Sequence, residues 1–147
     1  MNRVRLLVVF LATATPIVGC GPSRPQTMYV DGVVTLDGEP IEGAAVLFSP
    51  EEGRPASGIT DAQGKFELQT FEPRDGAVLG KHKVTVTLKK VTGVGADPDG
   101  LSGEVGPGGM QVEWVVPEKY SSPATSGLTV DVDADLSLPV PLKLSSG

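Results

Sequence analysis

From Tyr29 onward, apolar and polar side chains trade places at nearly every second position. A β-strand sends successive side chains to opposite faces, so this period predicts strands rather than helices. Met28–Leu36 sets Val30, Val34 and Leu36 on one parity with Gly32 among them, and Asp37-Gly38 marks the turn that follows. In the next run Ala44, Val46 and Phe48 share a parity, and Leu47 makes the other side apolar too, the expectation for a central strand. Arg54–Thr60 reads as a weaker strand. Thr60–Gly64 is a corner in which Asp61 can accept hydrogen bonds from the backbone just after it and Gly64 can take a positive φ. Phe66 and Leu68 then point inward, with Lys65, Glu67 and Gln69 toward water. Glu72–Gly80 is polar and glycine-bearing, and reads as a loop. Lys81–Val91 is the clearest strand: His82, Val84, Val86 and Leu88 face in, while Lys81, Lys83, Thr85, Thr87 and Lys89 suit a solvated face.

Residues 92–110 break the pattern with seven glycines and two prolines, and are expected to form a mobile surface loop. Gln111–Val116 is a short strand or a flap, within a connection Gln111–Gly127 that crosses the body. Leu128–Val132 and Leu136–Leu144 alternate again and are expected to close the chain as a hairpin about Asp133-Ala134-Asp135. Pro139 and Pro141, two apart, remove backbone donors from one lateral side, which marks an edge strand. About seven strands result, enough for an all-β, two-sheet antiparallel sandwich spanning residues 28–147.

The string Gly32…Gly38-Glu39-Pro40-Ile41…Gly43-Ala44…Val46, followed by Ser57-Gly58…Thr60-Asp61…Gly64…Phe66…Leu68, resembles the carboxypeptidase regulatory-like module. The resemblance covers Tyr29–Leu88 and implies a transthyretin-like (prealbumin-like, Ig-like) sandwich of a kind common in bacterial envelope proteins. Such folds host unrelated roles, so the resemblance speaks to shape more than to activity. Fold relatives of transthyretin include a purine-pathway hydrolase that relies on several histidines and a Tyr-Arg-Gly-Ser terminus. This chain ends Lys143-Leu144-Ser145-Ser146-Gly147 and has one histidine, His82, so the enzymatic half of that kinship does not carry over.

The amino-terminal stretch changes the picture. Met1–Arg5 carries two positive charges, Leu6–Ala12 is wholly apolar, and Ile17-Val18-Gly19-Cys20 follows. That is the order of a secretory signal, too short for a membrane span of about 20 residues. Ile17–Cys20 also resembles the bacterial lipobox, in which the cysteine becomes the lipidated first residue. The expected organisation is a signal peptide at 1–19, a lipidated tether at 20–27 and the sandwich at 28–147. Cys20 is the sole cysteine, so no internal disulfide is available. Gly21, where aspartate would signal inner-membrane retention in a Gram-negative lipoprotein, leans toward the outer membrane, periplasm or cell surface.

Without residues 1–19, which hold Arg3 and Arg5, ten basic side chains face eighteen acidic ones, a net charge of −8. That balance argues against nucleic acid as a partner. Candidate chemistry is sparse. His82 stands where a core residue belongs, and Ser57, Ser121, Ser122 and Ser126 have no second histidine to activate them. Asp97-Pro98-Asp99-Gly100 lacks the ligands of a calcium loop, and Asp131, Asp133 and Asp135 around a turn read as solvated. One histidine and no thiol after lipidation leave a zinc site short of ligands. No cofactor, metal site or catalytic group is therefore expected. The side chains with the best claim to a partner are Trp114 and Tyr120, aromatics that could stack on a sugar or anchor a protein, or else cap the open end of the body. The expectation is a non-catalytic binding or assembly module fixed to the membrane through Cys20, meeting an unknown envelope protein or a glycan. A glycan-binding module is the alternative, and a hydrolase the remote one.

Overall fold

The alternation of the sequence becomes twelve short strands in the computed structural model, which describes residues 24–92 and 111–147. They are β1 Thr27–Met28, β2 Asp31–Leu36, β3 Glu39–Pro40, β4 Ala45–Pro50, β5 Ala56–Ile59, β6 Lys65–Glu67, β7 Ala77–Val78, β8 Gly80–Thr87, β9 Lys89–Thr92, β10 Gln111–Trp114, β11 Leu128–Val132 and β12 Val140–Leu144. The expected signal peptide, Cys20 and nearly all of the expected loop lie outside the described residues.

Among the described residues the fold is all-β, with one short 3₁₀ turn at Glu118–Ser121. One sheet runs β11-β8-β4-β5; the other runs β12-β2-β3, with β6 also paired to β2. Their inner faces share one core, in which Phe48 of the first sheet meets Phe66 of the second at 6.2 Å between ring centroids. The inward parities read from the sequence hold. Val30, Val34, Ala44, Val46, Phe48, Phe66, Leu68, Val84 and Val86 are all buried. The corner before β6 forms as its residues dictate: Asp61 Oδ1 accepts from the N–H of Gln63 and of Lys65, each at 2.9 Å, and Gly64 takes φ +72°.

Several expectations need correction. The expected first strand is two, because the chain bends at Tyr29-Val30 and β1 leaves to pair with β7. The polar link Glu72–Gly80 is accordingly not all loop. Ala77 and Val78 are buried there opposite Met28 and Thr27. The loop before them is tied by Asp75, whose carboxylate accepts from the N–H groups of Thr70 (2.6 Å), Phe71 (2.9 Å) and Glu72 (3.0 Å). The strand expected over Lys81–Val91 breaks at Leu88, whose carbonyl accepts from both Val115 N–H (3.0 Å) and Val116 N–H (3.3 Å).

The closing hairpin is the largest revision. β11 pairs antiparallel with β8 in one sheet, and β12 crosses to the other and lies parallel to β2, Val140 opposite Gly32 and Leu144 opposite Leu36. The sandwich was expected to be antiparallel throughout, and this pair is not. A local turn does form at Asp133, whose Oδ1 accepts from Asp135 N–H at 2.9 Å, but it redirects the chain between sheets. Among the described residues β12 is an edge strand, with β2 its one strand neighbour.

Candidate functional site

Where β4 and β8 lie side by side, their outward side chains should be polar if water covers them. Thr85 and Thr87 of β8 follow that rule, but Ala45 and Leu47 of β4 and Ile59 of β5 do not. Ala45 stands opposite Ile59, and Leu47 lies between Ser57 and Thr85. Leu47 is 37% exposed and Ile59 71%. β4 is thus central in its sheet, as expected, while its second apolar face is left open. The result is a shallow groove of about 690 Å³ across the outer face, edged by Glu67 and Gln69 and by Ser121 of the 3₁₀ turn. That turn packs beside β8, where β11 has already ended at Leu128 opposite Val84. Thr85, expected in water, is buried against it.

The rim carboxylate of the groove is fixed. Tyr29 Oη donates to Glu67 Oε1 at 2.9 Å and Arg74 Nη2 donates to the same oxygen at 2.8 Å. The tyrosine hydroxyl first, then the guanidinium, hold the Glu67 carboxyl below its ordinary range; the same bond pushes the Tyr29 phenol up. This is an acceptor committed to its partners rather than a base poised to take a proton.

A second surface is the β9–β10 ribbon, which leaves the body at Leu88. Its register sets Val91 opposite Val112 and Lys89 opposite Trp114 on one face, and Lys90 opposite Glu113 on the other. Val91 and Val112 are each about half exposed, at 51% and 50%. The ribbon is amphipathic, and on its apolar face Val91 and Val112 are open to solvent.

Trp114 and Tyr120, the expected contact pair, have different surroundings. Trp114 is half-buried on the apolar face of the ribbon, with Lys89 Nζ 4.0 Å from its ring centroid. Tyr120 belongs to the core at 7% exposure, and its hydroxyl accepts from Ser145 N–H at 3.0 Å. That backbone donor, against burial, draws the phenol below its ordinary value. His82 is wholly buried beside Phe48; its Nε2 lies 2.7 Å from Val78 O and its Nδ1 meets no polar partner. The reactive ring is therefore walled off from solvent. Asp131 lies opposite Lys81, and Asp133 caps its own turn. Among the described residues no group of three or more His, Cys, Asp or Glu side chains is placed to hold a metal ion.

Sequence reasoning missed the groove and the Tyr29–Glu67–Arg74 cluster. The signal for the groove was present: Leu47 and Ile59 sit on the parity that their neighbours give to water. Nothing in the local pattern brings Tyr29, Glu67 and Arg74 together, because β2 and β6 meet only through tertiary pairing. Comparison of the chain with protein-family models, with curated proteins and with solved structures gave no match.

Proposed function

We propose that this chain is a lipid-anchored cell-envelope protein. Acyl chains on Cys20 hold it to the membrane, and its two-sheet body, a transthyretin-like sandwich of the carboxypeptidase regulatory-like kind, is a non-catalytic binding or assembly module. The basic, apolar, Ile17-Val18-Gly19-Cys20 order supports the anchor. The observation that carries the binding half is the β9–β10 ribbon, whose half-exposed Val91 and Val112 share a face with the partly buried Trp114 while Lys90 and Glu113 take the opposite one. Exposed apolar surface of this kind marks contact with another molecule. The walled-off His82 ring and the committed Glu67 favour binding over bond-breaking.

A glycan-binding module is the second reading, since Trp114 offers a ring to a sugar. Lys89 already lies over that ring, and Tyr120 is spent on the core, so a protein partner fits the ribbon better. Radiolabelled palmitate should enter the native chain and not Cys20→Ala; equal labelling of both removes the anchor. A photo-crosslinker at Val112, compared with one at Glu113, should capture a protein from intact cells through position 112 alone. Retention on a polysaccharide array that is lost in Trp114→Ala would replace the protein partner with a glycan.

A further inference from the structure

Arg24, the first described residue, is already fastened to the body. Its Nη1 lies 3.0 Å from Glu72 Oε1, and its guanidinium carbon 5.8 Å from the Phe71 ring centroid. Arg54 approaches the same ring at 5.9 Å and has no carboxylate within ion-pair distance among the described residues. Next along the chain, Gln26 O accepts from Leu79 N–H at 3.3 Å, and β1 then locks into β7. Leu79, half exposed, therefore stands beside the entry of the chain into the fold.

Only residues 21–23 separate Arg24 from Cys20. Fully extended chain covers at most about 3.6 Å per residue, so the two Cα atoms lie within about 14 Å of each other. That reach is little more than the headgroup layer plus one Debye length of about 8 Å. If acyl chains start at Cys20, the body has no slack to stand clear of the bilayer.

We infer that the end of the body bearing Arg24, Arg54, Phe71 and Leu79 rests on the headgroup layer of the membrane that holds Cys20. This inference rests on the lipid anchor proposed above. The guanidinium forks meet lipid phosphates, and Phe71 and Leu79 supply the apolar contact at the acyl boundary. Glu72 already pairs with Arg24, and Glu51 and Glu52 flank Leu79 together with Lys81. Long-range attraction is therefore weak here, and the short tether brings the surfaces together. β8 begins at this end with Gly80, and the β9–β10 ribbon departs beyond its far end at Thr87. The apolar face of the ribbon is thus carried away from the bilayer.

The test uses the full lipidated chain in vesicles of phosphatidylethanolamine and phosphatidylglycerol. With Cys20 acylated, Leu79→Cys and Glu113→Cys each carry the one free thiol for a fluorophore, and spin-labelled headgroups serve as quencher. Both side chains are at the surface, so both variants should fold. Quenching several-fold stronger at position 79 than at 113 is the expected result, reduced when Arg24→Glu and Arg54→Glu are added. Failure of the chain to float with the vesicles would overturn the anchor and this inference with it. Flotation with quenching at 79 no stronger than at 113 would overturn the orientation alone. Quenching unchanged by the two charge reversals would remove the arginines from the contact.

Discussion

Asp75 offers the sharpest quantitative test of the fold. Its two carboxylate oxygens accept three backbone N–H groups, from Thr70, Phe71 and Glu72, at 2.6–3.0 Å. Charge-assisted bonds of this kind are strong, but at a half-buried site water replaces part of each, leaving about 1 kcal/mol apiece. Asp75→Ala should therefore cost about 2–3 kcal/mol at neutral pH, a large share of the ~5–15 kcal/mol that a domain has in total. Burial pushes the Asp75 carboxyl up, but the three N–H donors outweigh it and the folded value lies below the ordinary 3.8. A depressed carboxylate stabilises the fold fully above its unfolded value and loses that contribution as pH falls through the folded one. In urea titrations the gap between wild type and Asp75→Ala should thus be widest at neutral pH and narrow well below 3.8. Asp75→Asn can keep its carbonyl on the N–H groups of Phe71 and Glu72 but sets its amide against the N–H of Thr70, so it should lose a substantial part of the same stability with no acid dependence. A gap under about 0.5 kcal/mol, or one that acid leaves unchanged, would refute the reasoning.

Other outcomes follow from single contacts. Gly76 sits at φ +82°, and a Cβ there would run into the carbonyl of Met28, so Gly76→Ala should cost about 3 kcal/mol or more in the same titration. Tyr120→Phe removes the acceptor of Ser145 N–H and should cost about 1 kcal/mol, read as faster amide exchange at Ser145 with the core intact.

What the sequence disclosed and what it hid divide along a physical line. The parity of side chains is local, and it placed Phe48, Phe66, Leu68 and His82 in the core correctly. The Asp61–Gly64 corner was equally legible, since its hydrogen bonds join residues two to four apart. Parity says which face a side chain takes but not which strand lies alongside. A turn at Asp133 was visible, yet whether it folds β12 back on β11 or sends it to β2 depends on residues more distant in the chain. Ala77-Val78 was hidden for a related reason: two apolar residues make no period, and β1 buries them only in three dimensions. Local pattern leaves Tyr120 open between a partner contact and a cap on the body; its burial at 7% exposure follows from the space beside β8 that the 3₁₀ turn fills, which is tertiary. The groove was hidden because an apolar Leu47 reads as a sign of cover on both faces, and β4 is central in its sheet yet bare on that side.

The parallel match of β12 with β2 sets the order in which the body can be completed. A chain halted after Val132 would hold one finished sheet, while Val34 and its neighbours waited for a flank that had not yet been made. Closing so wide an arc is entropically costly and slow. The core face of β2 therefore gains this flank only from the last strand, and a chain cut after Val132 should leave Val34 open where Leu142 now stands beside it.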